Sequence, residues 1–426
     1  MISLIIGFAL ALGCLVGAFQ FLRRKRLVDD TPTSKTLGVF IGIAELKGTA
    51  ESDSPLTSHL AGISCVLYTW HVDEHWSRMV TETYTDSKGH TQTRTRHESG
   101  WTTVAKGGQS NPFYLKDDAS IIRILPEGAT IEDKEIFDKT VGRNDSLYYA
   151  KGPANAIANS DYRRRFVEHA LPLHLQLYVM GQARERQDIV AAEIAKDKNC
   201  PMYLISTRTE KQISSGFAIG LWAFLISGLV CSLGGALFAN LGLHANLPQL
   251  YAFAIFGYLL ILSLGWSWTV YNALVNLRLR VRQAQAQIDI QLKRRNDLIP
   301  NLVSTVEGYA AHEQNTQKLL TQLRGQISPD NTVIPVGFTP FLKVAVENYP
   351  DLKASDLFLK LQRELSDTEQ RIALARDYYN DVATFFNIRL EIVPDTFLAK
   401  VMKLKQFELF STTGFERAAV MVKLVD

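Results

Sequence analysis

Two apolar runs, Ser214–Leu243 and Leu247–Val270, contain no Asp, Glu, Lys or Arg, and they constrain the fold more than any other feature of the chain. Each matches the roughly 20 residues that an α-helix needs to cross the hydrocarbon core of a bilayer. The alternative is a helical hairpin inside a soluble core, and two such lengths without an ionisable residue argue against it. A third run, Ile2–Leu22, is uncharged and almost wholly apolar, and Arg23-Arg24-Lys25-Arg26 follow at once. A cleaved signal peptide would carry positive charge ahead of its apolar run, whereas here the charge comes after it. The expectation is three transmembrane helices, at 1–22, 214–243 and 247–270.

Charge sets their direction. The joint His244-Ala245-Asn246-Leu247-Pro248 holds no Lys or Arg, while Arg208 and Lys211 precede the pair and Arg278, Arg280 and Arg282 follow it. Cytoplasmic flanks of membrane helices carry the excess of Lys and Arg. The N-terminus and the joint are therefore expected outside, and both soluble regions in the cytoplasm. Trp266 and Trp268 suit an interfacial belt, and Gly13-x-x-x-Gly17 is a candidate close helix contact.

Residues 30–213 read as a mainly-β domain, a small barrel or sandwich. Val66, Tyr68, Trp70 and Val72 alternate with Cys65, Leu67, Thr69 and His71, the period of two that a strand imposes. Met79–Tyr84 and Thr91–His97 flank Asp86-Ser87-Lys88-Gly89 as a hairpin. Phe113–Leu115 and Ile121–Leu125 form a second strand pair, and Leu173, Leu175, Leu177 and Val179 alternate again. A helical segment is expected around Asp161–Ala170.

Residues 271–410 read as an all-α antiparallel bundle of long helices, with 411–426 as a tail. Val281, Ala284, Ile288 and Leu292 share one helical face. No Gly or Pro lies between Trp266 and Asn296, so the third membrane helix should run on into the bundle. Pro300 predicts a break near Ile299, after which Leu302, Val306, Tyr309, Leu320, Leu323 and Ile327 resume a face. Phe341–Glu347 is a candidate short helix between Pro335, Pro340 and Pro350. From Ser355-Asp356, the residues Leu357, Leu361, Leu365, Thr368, Ile372, Ala375, Tyr379, Val382 and Phe386 step three and four apart, a heptad-like seam ended by Pro394.

Two families are resembled. Tyr271-Asn272, Ile288-Asp289, Leu292-Lys293-Arg294-Arg295 and Asp297–Val303 carry the first resemblance. Gly308-Tyr309, His312-Glu313, Tyr349–Ala354, Leu361-Gln362, Thr368-Glu369, Arg371–Ala373, Arg376, Tyr379-Asn380 and Asn387 continue it. This last third of the chain looks like the LemA family, which implies an antiparallel bundle behind a membrane helix and no accepted catalytic role. In the N-terminal half, Gly48–Ala50, Pro55–Ser58, Cys65–Tyr68, Trp101, Pro112–Asp117, Pro126–Ala129, Leu177–Val179, Gly181, Ala183 and Ile205-Ser206 are similar to the membrane-flanked domain of GIDE/MULAN-type ubiquitin ligases. In that family the ligase activity belongs to a RING zinc domain after the second membrane helix. No cysteine follows Cys231 in this sequence, so the eight ligands of such a domain cannot be supplied.

Chemical motifs are few. The 4 cysteines make no C-x-x-C, which signals neither zinc nor a disulfide framework, although a Cys65–Cys200 bridge is open. His71-Val72-Asp73-Glu74-His75 fits the inverted zinc-peptidase motif H-x-x-E-H. On a helix both histidines would bind one metal with Glu74 as base, but this stretch reads as strand, where residues four apart lie too far from one another. No catalytic, cofactor-binding or metal-ligating residue is assigned on that ground. Arg163-Arg164-Arg165 reads either as a basic cluster able to reach a cytoplasmic membrane face or as a solvated helix face, and Arg23–Arg26 as a topology anchor that can meet anionic lipid. Arg294, Arg295 and Asp297 can pair with Glu369, Arg371, Arg376 or Asp381 between helices, although exposed faces of this kind contribute little. Asn301 and Asn380 are candidate buried anchors of register. Lys+Arg 46 against Asp+Glu 43 is near balance, which argues against a nucleic-acid partner, and nucleotide-binding and esterase motifs do not occur.

The sequence thus predicts a multi-pass protein of a bacterial inner membrane that acts as an interaction scaffold without catalysis. Its expected partners are membrane lipids, an unidentified protein and a second copy of the chain, with no cofactor. The competing class is an enzyme, either the zinc peptidase of His71, Glu74 and His75 or a ubiquitin-ligase-like protein.

Overall fold

The computed structural model describes residues 2–85, 91–186, 191–198, 200–242, 248–310 and 356–410. In chain order these form α1 (Ile2–Asp29), β1 (Thr33–Ser34), β2 (Gly42–Glu51), β3 (Leu56–Thr57), β4 (Ser64–Thr85), β5 (Thr91–Ser110), β6 (Phe113–Lys116) and β7 (Ile121–Ile124). Next come β8 (Thr130–Glu132), β9 (Lys134–Gly142), α2 (Leu147–Ala150), β10 (Ser160–Pro172), β11 (Gln176–Glu185), β12 (Ala192–Ala195) and β13 (Leu204–Ser206). Last are α3 (Glu210–Gly242), α4 (Pro248–Ala310), α5 (Asp356–Glu391) and α6 (Asp395–Val401). Two compact units result: Thr33–Gly216, and the rest of the described chain.

The first unit is built on a closed barrel. Strand β2 pairs with β6, β6 with β7, β7 with β12, β12 with β11, and β11 returns to β2. Closure follows from alternation, because Ala44, Leu46 and Ala50 on β2 and Leu177, Val179 and Ala183 on β11 all enter one core. The same core takes Phe113, Leu115, Ile122, Ile124 and Ile194. Burying each such side chain contributes about 1.5–3 kcal/mol. Gly48 lets two strands approach, since a Cβ there would stand 2.4 Å from the carbonyl oxygen of Lys116. Leu173 and Leu175 also pack on this core, but from the turn before β11.

A second sheet runs β5-β4-β10-β9, with β3 against the start of β4. Its hairpin is much longer than expected, since β4 has 22 residues and β5 has 20. Trp70 lies opposite Gly107 and Trp76 opposite Gly100, each indole covering the space a side chain would fill. Such aromatic–glycine pairs pin register in a strand that glycine would otherwise loosen. A bulge between Val72 and Asp73 adds local twist. The outer arm, Thr93–Arg96, is exposed on every residue.

The expected helix at Asp161–Ala170 is a strand. β10 pairs with β4 on one side and with β9 on the other over its central residues. Arg163 and Arg165 are exposed while Arg164 is buried, so the arginine run is not a solvated helix face.

In the second unit, α1, α3 and α4 are long and apolar enough to cross a membrane. α1 buries Gly7, Ala11, Leu15 and Ala18 at spacings of four and three. Its closest crossing is not at the Gly13-x-x-x-Gly17 motif. Gly13 has nothing within 4 Å and Gly17 faces the ring of Phe224, whereas Gly7 meets Gly235 of α3 so closely that a Cβ would lie 2.6 Å from its Cα. Small residues at a crossing allow this packing in lipid, where apolar burial gives no drive between helices. Tyr258 OH donates to the carbonyl of Leu225 (2.7 Å) and Ser232 Oγ to that of Ala254 (3.1 Å), tying α3 to α4.

α4 continues through Tyr271 as one helix of 63 residues. It also continues through Pro300, against the expected break. The lost N–H removes one helical bond, yet the helix carries on across it, with Ile299 buried and the Asn301 amide donating to the Asp297 carbonyl (3.3 Å). Along α4, Val270, Leu274, Leu277, Val281, Ala284 and Ile288 are buried at alternating spacings of four and three. Along α5, Leu365, Thr368, Ile372, Ala375, Tyr379, Val382 and Phe386 repeat that rhythm. The helices are antiparallel: Arg295 of α4 meets Glu369 early in α5, while Leu274 packs with Leu390 late in it. Expectations for Leu320, Leu323, Ile327, the helix at Phe341–Glu347 and Pro335, Pro340 and Pro350 lie outside the described residues. So does the joint after Gly242, and the side chains of Leu302, Val306, Tyr309 and Leu357 are likewise undescribed.

Candidate functional site

The H-x-x-E-H residues lie on β4, and the strand sends them to opposite faces. Glu74 is fully buried and faces Arg164, which is also fully buried. Arg164 Nε and Nη2 donate to Glu74 Oε2 (3.2 and 3.0 Å). Its Nη1 donates to the carbonyls of Tyr148 and Pro153, and Nη2 also to that of Asn155. A guanidinium has five N–H donors, and these five contacts use them all. The Tyr148 hydroxyl donates to Glu74 Oε1 (2.9 Å), and the Arg164 guanidinium lies 3.9 Å from the centre of that ring. Burial and the bond to Glu74 push the Tyr148 phenol up. Glu74 is thus the counter-ion of a closed polar network.

The two histidines point away from it. His75 Nδ1 lies 2.6 Å from Asp161 and its ring meets Trp101 edge-on. His71 Nε2 lies 3.6 Å from Asp73. Among the described residues no three His, Cys, Asp or Glu side chains gather as metal ligands. Cys65 and Cys200 form no bridge: Cys65 donates to the Leu56 carbonyl and Cys200 to that of Met202. Burial pushes the Cys65 thiol up to about 11.

The polar constellation that sequence reasoning missed is in the helical unit. Arg26, at the end of α1, donates from Nη1 and Nη2 to the two carboxylate oxygens of Asp395 on α6 (2.8 and 2.9 Å). Arg389 of α5 bonds Asp30 through Nε (2.9 Å) and stands 3.8 Å from Asp395. Arg280 of α4 donates to Thr31 Oγ1 (2.6 Å). Burial raises the Asp30 carboxyl, with Arg389 and then Arg26 working against it. Four helices are therefore fastened at one buried point. Within the expected topology anchor Arg23–Arg26, the four cations are therefore not equivalent: Arg23 and Arg24 are exposed, Lys25 pairs with Asp29, and Arg26 is buried. No local pattern signals it, because the partners are far apart in sequence.

Of the charges expected to pair between helices, Arg295 reaches Glu369 at 3.3 Å. Burial holds the Arg371 guanidinium below its usual range. Asn301 is exposed, not buried as expected, and the Asn380 amide binds the backbone of Phe410.

Comparison with known proteins gives two family matches in the order the residues suggest. Residues 284–424 match the LemA family. Residues 81–239, from within β4 to within α3, match a family described as GIDE, E3 ubiquitin ligase. Protein LemA of Metamycoplasma hominis is 30% identical over 138 residues, covering 30% of this chain and 63% of that protein. Magnetosome proteins MamQ 2 and MamQ 1 of Paramagnetospirillum magneticum are each 24% identical over 174 residues, covering 33% of this chain and 64% of theirs. The chain thus spans somewhat less than two thirds of the length of these curated relatives. It is a membrane-associated protein with a LemA-like helical segment and a GIDE-like segment.

Proposed function

We propose that this chain is a membrane-anchored interaction module of a bacterial cytoplasmic membrane, which holds protein partners and catalyses no reaction. The observation that carries this reading is α4, whose 63 residues join an apolar span to the helical seam without interruption. A helix of that length extends about 95 Å, of which about 30 Å crosses the hydrocarbon core. The remainder stands at an angle set by the span, and the Arg26–Asp395 pair fastens α1 to the same assembly. A surface mounted so rigidly suits docking beside a membrane. The flanking cations put the N-terminus and the Asn246 joint outside and both soluble regions in the cytoplasm. The partners in this reading are lipids, an unidentified protein and a second copy of the chain, with no nucleic acid and no cofactor.

Neither enzymatic alternative is supported as well. A peptidase at His71, Glu74 and His75 would need Glu74 as a base, and that carboxylate is committed to Arg164. The GIDE match carries a ligase name, yet the 4 cysteines of this sequence are too few for a RING. Lysine-reactive crosslinking in native membranes, read by mass spectrometry, tests the proposal. Links from exposed Lys106, Lys139, Lys293 or Lys360 to another protein or a second copy are expected. Links confined within single chains would overturn it.

A further inference from the structure

The segment after α6 lies along α5 in extended form and is read there by two asparagines. Asn387 Nδ2 donates to the Phe407 carbonyl (2.8 Å) and its Oδ1 accepts the Phe407 N–H (2.9 Å). Asn380 does the same to Phe410, donating at 3.1 Å and accepting at 2.8 Å. Between them Tyr379 OH donates to the Glu408 carbonyl (3.0 Å). A side-chain amide presents one donor and one acceptor group side by side, as a peptide does, so it pairs with an extended residue much as a neighbouring strand would. The spacing fits: seven residues of helix rise about 10.5 Å, and three extended residues cover about 10 Å.

Backbone pairing alone selects conformation, and the rings select sequence. Phe407 packs edge-on against Phe386 (5.2 Å between centres) and Phe410 against Tyr379 (4.9 Å). The bound register is therefore aromatic, any, any, aromatic. The occupant is held from one side only, with Leu409 49% and Phe410 43% exposed.

We propose that the Asn380/Asn387 face of α5 is a peptide-binding site for extended segments with aromatic residues three apart. The chain's own Phe407–Phe410 is its resident occupant, exchanged for the same kind of segment on a partner polypeptide. This deepens the interaction-module reading and rests on it. Because the resident segment is tethered, its effective concentration at the site is high. An outside peptide therefore competes poorly until the resident is removed or the partner is concentrated.

The test uses full-length protein in nanodiscs and a fluorescein-labelled peptide of residues 403–410, followed by anisotropy. Phe407→Ala with Phe410→Ala in the protein removes the ring contacts that hold the resident segment in place and should tighten peptide binding at least tenfold over the parent. Adding Asn380→Ala and Asn387→Ala should abolish that gain, and a peptide with both phenylalanines replaced by alanine should not bind. A second measurement needs no variant: excess unlabelled peptide should speed hydrogen exchange at the Phe407 and Phe410 amides of the parent protein. Binding no tighter to the double variant, a gain that survives loss of the asparagines, or unchanged exchange would each overturn the proposal. Failure here would leave partner crosslinks in native membranes untouched, so the two readings fall separately.

Discussion

Arg26 and Asp395 lie 369 positions apart, yet their guanidinium and carboxylate meet in a two-bond fork at 2.8 and 2.9 Å, nearly sealed from water. Removing one partner of such a pair strands the other as an uncompensated charge, at roughly 3–5 kcal/mol. Arg26→Ala and Asp395→Ala should each lower the melting temperature of the detergent-solubilised protein, and the double variant should lose less than their sum. Additive losses would mean that the two side chains act independently.

The helical seam makes a second expectation. Ile372 is buried and faces α4, so Ile372→Ala should cost roughly 2–5 kcal/mol, whereas half-buried Leu361→Ala should cost less. A proline at Ala284, mid-helix and buried, should cost roughly 3 kcal/mol or more. Equal melting temperatures for parent and Ile372→Ala, by differential scanning fluorimetry, would count against the packing.

On the β-sheet, His71→Ala with His75→Ala should leave zinc content at background, measured by atomic emission on purified protein. Glu74→Ala should be the damaging change, by roughly 3–5 kcal/mol, because Arg164 would stay buried with nothing to balance it. Stoichiometric zinc lost on replacing the histidines would reverse the assignment of Glu74 to structure.

Acid sensitivity should centre partly on Asp117. Burial opposes its charge, but the Thr36 amide and hydroxyl and the amides of Ser120 and Ala119 outweigh it and hold the carboxyl below its ordinary 3.8. A depressed folded value means that the stabilisation is complete above the unfolded value and disappears as pH falls through the folded one. The melting-temperature gap between parent and Asp117→Asn should therefore be widest near neutrality and close in acid. A gap independent of pH would show that the carboxylate charge is irrelevant.

Topology is decided by reporter fusions. An enzyme active only in the periplasm should work when fused at Asn246 and stay silent at Asp30, Lys211 or Asp426. Activity at Asp426 would demand an even number of spans.

What the sequence by itself determined was whatever repeats locally. The apolar runs, the three-and-four rhythm from Leu365 to Phe386 and the alternation of Val66 to Val72 each follow from where one element buries its side chains. Strand β10 escaped because its inward residues include Arg164 and Glu168 beside Phe166 and Ala170. Two buried charges disguise a period of two as a polar stretch, and only their partners make that burial tolerable. Those partners are distant: Glu74 takes Arg164, and the backbone amides of His59, Leu60 and Ala61 take Glu168. The same holds for Arg26 with Asp395 and for Asn387 with Phe407. Tertiary structure alone decided these, because a buried polar group is stable only with a matching group in bonding geometry, and no local pattern records which group that is.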